Sequence, residues 1–211
     1  MRKAFLDLDG TLLDSKRRHE VVLQDILNNR KIDIGIEDYL KYKSDGNSTK
    51  TYLSNIKKLD DSTADEITKE WVNRIEAEKY LCLDTWYSDA EDFLTILKSY
   101  DFRIIVVTAR KNKEGLYNFL KSSEQSDFLD DIVIVSPTNA SLNKKEYILS
   151  NLGEMNIVVG DTEGDCISGT DSIELYLLNR GFRSRDYWDN RNLYSYDNLY
   201  QIAEKIKLLF D

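Results

Sequence analysis

The stretch Leu6-Asp7-Leu8-Asp9-Gly10-Thr11-Leu12 closes an apolar segment, Lys3–Leu8, that reads as a buried strand. Residues two apart on an extended segment point the same way, so Asp7 and Asp9 are expected to enter one site. Gly10 then lets the backbone turn sharply and approach a ligand closely. A solvated acidic turn uses the same letters, because Asp and Gly favour turns. What separates the two readings is the order of elements in the rest of the chain.

Downstream, Arg103–Val107, Ile132–Val135 and Asn156–Val159 are short apolar runs opening into polar turns, and Ile173–Leu178 is a weaker fifth. Helical patterns lie between them. One starts at the capping-box letters Ser88-x-x-Glu91 and carries Phe93, Leu94, Ile96 and Leu97. Another runs Lys144–Leu152 and meets Gly153 as a stop. Leu199, Ile202, Ala203, Ile206 and Leu209 mark an amphipathic closing helix. Strands alternating with helices predict a doubly wound α/β core with a parallel sheet, whose ligands bind beyond the carboxyl ends of the strands.

Residues from about Ser15 to Thr85 break the alternation with purely helical periodicity. Val22, Leu23, Ile26 and Leu27 form one face; Ile67, Trp71 and Ile75 form another, after the box letters Ser62-x-x-Asp65. The expected division is therefore a core of residues 1–14 and 86–211 with a small inserted α-helical domain at 15–85. Lys16 to Leu81 holds 13 basic and 13 acidic residues, which leaves 16 basic and 25 acidic ones and the whole formal charge of -9 on the core. Such an excess suits a core that binds a cation, and a solvated acidic surface explains it equally well.

A chain with 41% hydrophobic and 11% aromatic residues is too apolar to be disordered. Its negative charge argues against nucleic acid and anionic membranes as partners. Cys82 and Cys166 make neither a disulfide framework nor a zinc cluster, which points to a reducing, cytoplasmic setting. The N-terminus does not read as a signal peptide, and no run approaches a membrane span. A monomer or weak dimer is expected.

Two more stations complete the pattern. Ile104-Ile105-Val106-Val107-Thr108-Ala109-Arg110 is an apolar strand ending in a hydroxyl and a small residue, and Ile157-Val158-Val159-Gly160-Asp161-Thr162-Glu163-Gly164-Asp165 is one running into acids. With Leu6–Leu12 they resemble motifs II, IV and I of the haloacid-dehalogenase superfamily, and all the letters of DxDGT are present. The resemblance implies a phosphatase in which Asp7 attacks phosphorus and Asp9 protonates the leaving oxygen, later activating water. It assigns Gly10, Thr108 and Ala109 to the phosphoryl group, and Mg²⁺ to Asp7, the Asp9 carbonyl, Asp161 and Asp165, a set of hard oxygen donors. Paired carboxylates divide roles by pKa, the raised one acting as acid. Motif III requires a lysine between these stations; Lys144 matches the family spacing to Ile148, and Lys145 is the alternative.

The helical insert resembles the small caps of phosphoglycolate-phosphatase-like and β-phosphoglucomutase-like members, so the expected partner is a small phosphorylated metabolite. The rival within enzymes is a sugar phosphomutase. In a different class, a receiver-like signalling module would carry its acceptor Asp after the third strand, and a non-catalytic phosphate-binding module would not need the whole charge set. Lys43–Thr49 reads as a cap loop able to reach substrate or as a plain turn. His19, among Lys16, Arg17 and Arg18, reads as part of a solvated helix face. Arg110 reads as a phosphate contact or a surface charge, and Gly181–Trp188 as a loop packed on the core.

Overall fold

The computed structural model describes residues 1–32, 35–167 and 172–210. Positions 33 and 34 of the expected helical insert, and 168–171 and 211 of the expected core, lie outside the described residues. From the N-terminus, β1 (Arg2–Leu6) and β2 (Leu13–Asp14) precede α1 (Lys16–Asn29), α2 (Tyr39–Ser44), α3 (Thr49–Thr51), a π-helical turn at Tyr52–Ile56, α4 (Asp61–Arg74), α5 (Glu78–Leu81) and β3 (Thr85–Trp86). Strands and helices then alternate through α6 (Ala90–Ser99), β4 (Phe102–Thr108), α7 (Lys113–Lys121), β5 (Asp131–Ile134), α8 (Ala140–Ser150), β6 (Met155–Gly160), β7 (Ile173–Leu178), α9 (Arg185–Asp189), β8 (Ser195–Tyr196) and α10 (Leu199–Phe210).

The main sheet runs β5-β4-β1-β6-β7-β8 and every pair in it is parallel. Its centre is apolar on both faces because helices cover both. Ala4, Leu6, Ile104, Val106, Ile157 and Val159 pack under Phe93 and Leu97 of α6 and Ile202 and Ile206 of α10. The alternate residues Phe5, Ile105, Val107 and Val158 face Ile148 of α8. This period-two division makes the α/β core doubly wound, as expected.

β2 and β3 form a separate antiparallel pair, Leu13 opposite Trp86 and Asp14 opposite Thr85, through which the chain leaves the sheet and returns. The helices between them gather a second hydrophobic cluster: Val22, Leu23, Ile26 and Leu27 pack with Tyr39, Tyr52, Leu53, Ala64, Ile67 and Tyr80. A 14-residue helix such as α1 is marginal alone. Four buried aliphatic side chains at roughly 1.5–3 kcal/mol each explain why it docks. No helix among the described residues is long and apolar enough to cross a membrane.

Local corrections concern caps and short strands. Asp89, not Ser88, takes the N-cap position of α6, and its carboxylate instead accepts the Leu199 amide (2.8 Å) and an Arg180 guanidinium N–H (2.6 Å). α4 is capped by Asp60, which accepts the Thr63 amide at 3.0 Å, so the Ser62 box is displaced by one strong capping residue nearby. α8 starts at Ala140 rather than Lys144, because its first turn is polar and partly exposed and carries no periodic signal. β2, β3 and β8 span two residues each and are too short to show alternation.

Candidate active site

Strand β1 ends at Leu6, and the Leu8 carbonyl accepts the amides of Thr11, Leu12 and Leu13 at 3.3, 3.0 and 2.9 Å. Asp7 stays tied to the sheet, its amide donating to the Val159 carbonyl at 2.9 Å. Gly10 makes the turn at φ +86°, and a Cβ there would lie 2.2 Å from Asp161 Oδ2. The loop after β1 is thereby pressed against the end of β6.

The carboxylates of Asp7, Asp161 and Asp165 converge, with one oxygen from each lying within 4.8 Å of the others. Lys144, on α8, is buried and places Nζ 2.6 Å from Asp7 Oδ1 and 2.8 Å from Asp165 Oδ1. Asp161 is fully buried; its Oδ2 accepts the Phe182 amide at 2.6 Å and its Oδ1 the Thr11 hydroxyl at 3.4 Å. Asp165 Oδ2 accepts the amide and hydroxyl of Thr162. Burial, with Asp165 close by, pushes the Asp7 carboxyl up to about 7, an effect that Lys144 only partly offsets. Burial, with Asp7 and Asp165 close by, raises Asp161 well above the ordinary carboxylate range. Burial would lower Lys144, but Asp165 and Asp7 hold it fully protonated. Three buried carboxylates around one ammonium form an oxygen-only donor set short of positive charge, which fits a hard divalent cation.

Asp9 is held differently. Its Oδ2 accepts Arg110 Nε at 2.8 Å, and its Oδ1 accepts Arg110 Nη2 at 2.6 Å and Arg18 Nη2. Both arginines are buried and also ion-pair with Asp84, at 3.0 Å from Arg18 and 2.6 Å from Arg110. Burial acts to raise Asp9, but Arg110 and Arg18 outweigh it and hold the carboxyl well below the usual range. The expected ordering of the pair is therefore reversed in this arrangement: Asp7 is raised, whereas Asp9 is lowered because two guanidiniums clamp it.

Above these groups lies a cavity of about 300 Å³, walled by Asp7, Asp9, Thr108, Ala109 and Lys144 from the sheet end and by His19, Trp71 and Ile75 from the helical insert. Residues 4–172 match the family profile described as haloacid dehalogenase-like hydrolase.

The chain belongs to that family.

Solved structures agree in fold. A predicted phosphatase from Clostridium acetobutylicum superposes with TM-score 0.72 at 23% identity, covering 97% of each chain. A haloacid dehalogenase-like family hydrolase from Streptococcus pneumoniae gives 0.72 at 19%, with 97% of each chain covered. A predicted phosphoglycolate phosphatase from Haemophilus somnus gives 0.66 at 14%, again over 97% of each. No match was found among curated proteins.

Within this haloacid-dehalogenase-like frame, the structure brings Asp7, Asp161, Asp165 and Lys144 together, and Lys144 rather than Lys145 reaches Asp7. Gly10 lies against Asp161 rather than in the cavity lining. His19 is not on a solvated face: it packs on Phe182 and Trp71, with ring centroids 4.4 and 5.1 Å away, and burial beside Lys43 lowers its pKa well below the ordinary value. Arg110 is no surface charge, and its Nη1 is buried without a hydrogen-bond partner among the described residues. Gly181–Trp188 packs on the core as expected, Trp188 being fully buried and donating to the Leu178 carbonyl at 3.0 Å. Arg18 and Asp84 were missed. A signal existed for Arg18, which lies one helical turn before Val22 on the buried stripe of α1; a lone Asp84 offered none.

Proposed function

We propose that the chain is a magnesium-dependent phosphatase acting on a small phosphorylated metabolite through an aspartyl-phosphate on Asp7. The observation that carries this reading is the Lys144 ammonium, 2.6 Å from Asp7 and 2.8 Å from Asp165 at the floor of a cavity sized for a small molecule. A nucleophilic carboxylate facing a phosphate dianion needs fixed positive charge, and Lys144 supplies part of it. Asp7, Asp161, Asp165 and the Asp9 carbonyl would hold Mg²⁺, which when bound supplies the rest of the charge on the phosphoryl oxygens.

In the first half-reaction an Asp7 carboxylate oxygen forms the bond to phosphorus as the bond to the ester oxygen breaks, and Asp9 gives that oxygen its proton. In the second, Asp9 takes a proton from water, the water oxygen bonds to phosphorus, and the Asp7 carboxylate is freed. The clamped, ionised Asp9 is set for the second half; the first requires its carboxyl to leave the two guanidiniums and take up a proton. Thr108 and the backbone beside Ala109 are positioned to receive phosphoryl oxygens at the cavity wall. Residues 15–85 would act as a cap, since His19, Trp71 and Ile75 line the cavity opposite the sheet end, where closure would exclude water.

The fold neighbours from Clostridium acetobutylicum and Haemophilus somnus, a predicted phosphatase and a predicted phosphoglycolate phosphatase, support net hydrolysis over mutase chemistry. The test is phosphate release across a panel of phosphorylated metabolites, with magnesium and with chelator, alongside NMR detection of isomer formation. Magnesium-dependent release of inorganic phosphate is the expected outcome. Isomer interconversion with almost no free phosphate would replace the phosphatase reading with a mutase one.

A further inference from the structure

His19, Thr162 and Phe182 are shared between the first cavity and a second, of about 350 Å³, whose wall also carries Lys43 from the last turn of α2 and Asn47 and Ser48 from the loop after it. Lys43 is the unusual member. Its ammonium sits 5.0 Å from the Trp71 ring centroid, 5.7 Å from Tyr39 and 5.8 Å from Phe182, and no hydrogen bond or ion pair of that ammonium is found among the described residues. The nearest competing cation is already satisfied: Arg183 pairs with Glu163 at 2.9 and 2.7 Å. Burial and Arg183 together bring Lys43 down to about 8.

Lys43 is half-buried, and ring faces compensate only part of the cost of withdrawing its ammonium from water. Elsewhere in this protein the buried cations have carboxylate partners: Lys144 has two, and Arg18 and Arg110 share two. Lys43 has none among the described residues, and it lines a cavity that shares His19, Thr162 and Phe182 with the site.

We propose that Lys43 is a specificity-determining residue that receives a second anionic group on the substrate's leaving portion, a carboxylate or a second phosphate, while the transferring phosphoryl lies at Asp7. This rests on the phosphatase reading above and deepens it: the preferred substrate is a phosphomonoester with a second negative charge remote from the ester. The aromatic rings fix the ammonium laterally, and Asn47 and Ser48 line the same pocket as neutral donors. The anion would complete the charge balance of the cap as a cation completes that of the floor.

The experiment compares kcat/KM for simple alkyl phosphates with phosphorylated ω-hydroxy acids and alkanediol bisphosphates of two to six carbons, in the unmodified enzyme and in Lys43→Gln and Lys43→Met. The unmodified enzyme is expected to prefer at least one anion-bearing series, and the chain length that works best reports the span to Lys43. In both variants the ratio of anion-bearing to simple ester should fall about 10- to 100-fold, chiefly through KM, as for a lost charge-assisted hydrogen bond. A carboxylate-only or bisphosphate-only preference identifies which anion is read. Equal use of neutral and anionic esters by the unmodified enzyme, or an unchanged ratio in either variant, overturns the assignment while leaving the phosphatase reading standing. If no ester in the panel is hydrolysed with magnesium, the phosphatase reading falls and this assignment with it.

Discussion

Two groups of buried acids lie side by side at the carboxyl end of the sheet, and they solve the problem of buried charge in opposite ways. At the floor, Asp7, Asp161 and Asp165 crowd around a single ammonium from Lys144. At the wall, Asp9 and Asp84 share two guanidiniums from Arg18 and Arg110. The wall is complete in charge, and its acid Asp9 is held firmly ionised. The floor is short of positive charge, and burial with the crowded acids raises Asp7 and Asp161; burial also raises Asp84 in the wall, to about 6, against its two guanidiniums. On the proposed reading, incompleteness marks the place of a cation and a phosphoryl group, and completeness a structural clamp that opens for its acid to act.

The most severe way to test the comparison is to remove the floor's nucleophile. Asp7→Asn should lower kcat by about 10⁴-fold or more in a steady-state assay, as losses of covalent nucleophiles do. Activity within tenfold of the unmodified enzyme would end the assignment of Asp7. Because the wall is charge-complete, removing one of its members should damage the fold instead. Arg110→Met leaves Asp9 and Asp84 sharing one guanidinium and should cost about 3–5 kcal/mol in denaturant unfolding. Adding Asp84→Asn should recover part of that loss, and strict additivity of the two would mean that they do not act as one unit.

The floor should respond to metal where the wall does not. Magnesium at a hundred times its Kd should stabilise the unmodified protein by about 2.7 kcal/mol, read as a rise in Tm. Asp161→Asn should lose most of this gain and Asp9→Asn should keep it while turning over far more slowly. The reverse pattern would exchange their roles. A smaller effect is expected from pH. Asp7 and Asp161 bind protons more tightly folded than unfolded, so in chelator stability is greatest below the unfolded carboxylate value near 4 and falls as pH rises toward 7. The fall should shrink in magnesium. Asp9, being lowered, works in the opposite sense and only below pH 4. A metal-free protein whose stability climbs from pH 4 to 7 would show that the floor is not short of positive charge.

What could be known from the chain alone was whatever local pattern dictates. Five apolar runs ending in acids, hydroxyls or small residues are enough to imply a parallel sheet with a site at its carboxyl end, because strands covered on both faces must be apolar throughout. Asp7 and Asp161 were legible because each sits just beyond such a run, where the backbone itself delivers the side chain to the site; Asp165, in the turn that follows, was assigned through the family resemblance. Lys144 was legible only through its resemblance to a family spacing, since its helix begins four residues earlier than its pattern suggests.

Pairing across long sequence separation was not legible: Asp9 to Arg110 depends on how two loops of the core meet, Arg18 to Asp84 on how the insert closes on itself, and Arg18 to Asp9 and Lys43 to Phe182 on how the insert settles on the core. A charged residue on an amphipathic helix looks alike whether it meets water or a buried partner, and only the packed neighbour distinguishes them. Tertiary structure therefore decided that Arg18, His19 and Arg110 face the cavity, that Asp9 is clamped, and that Lys43 waits in an aromatic cage.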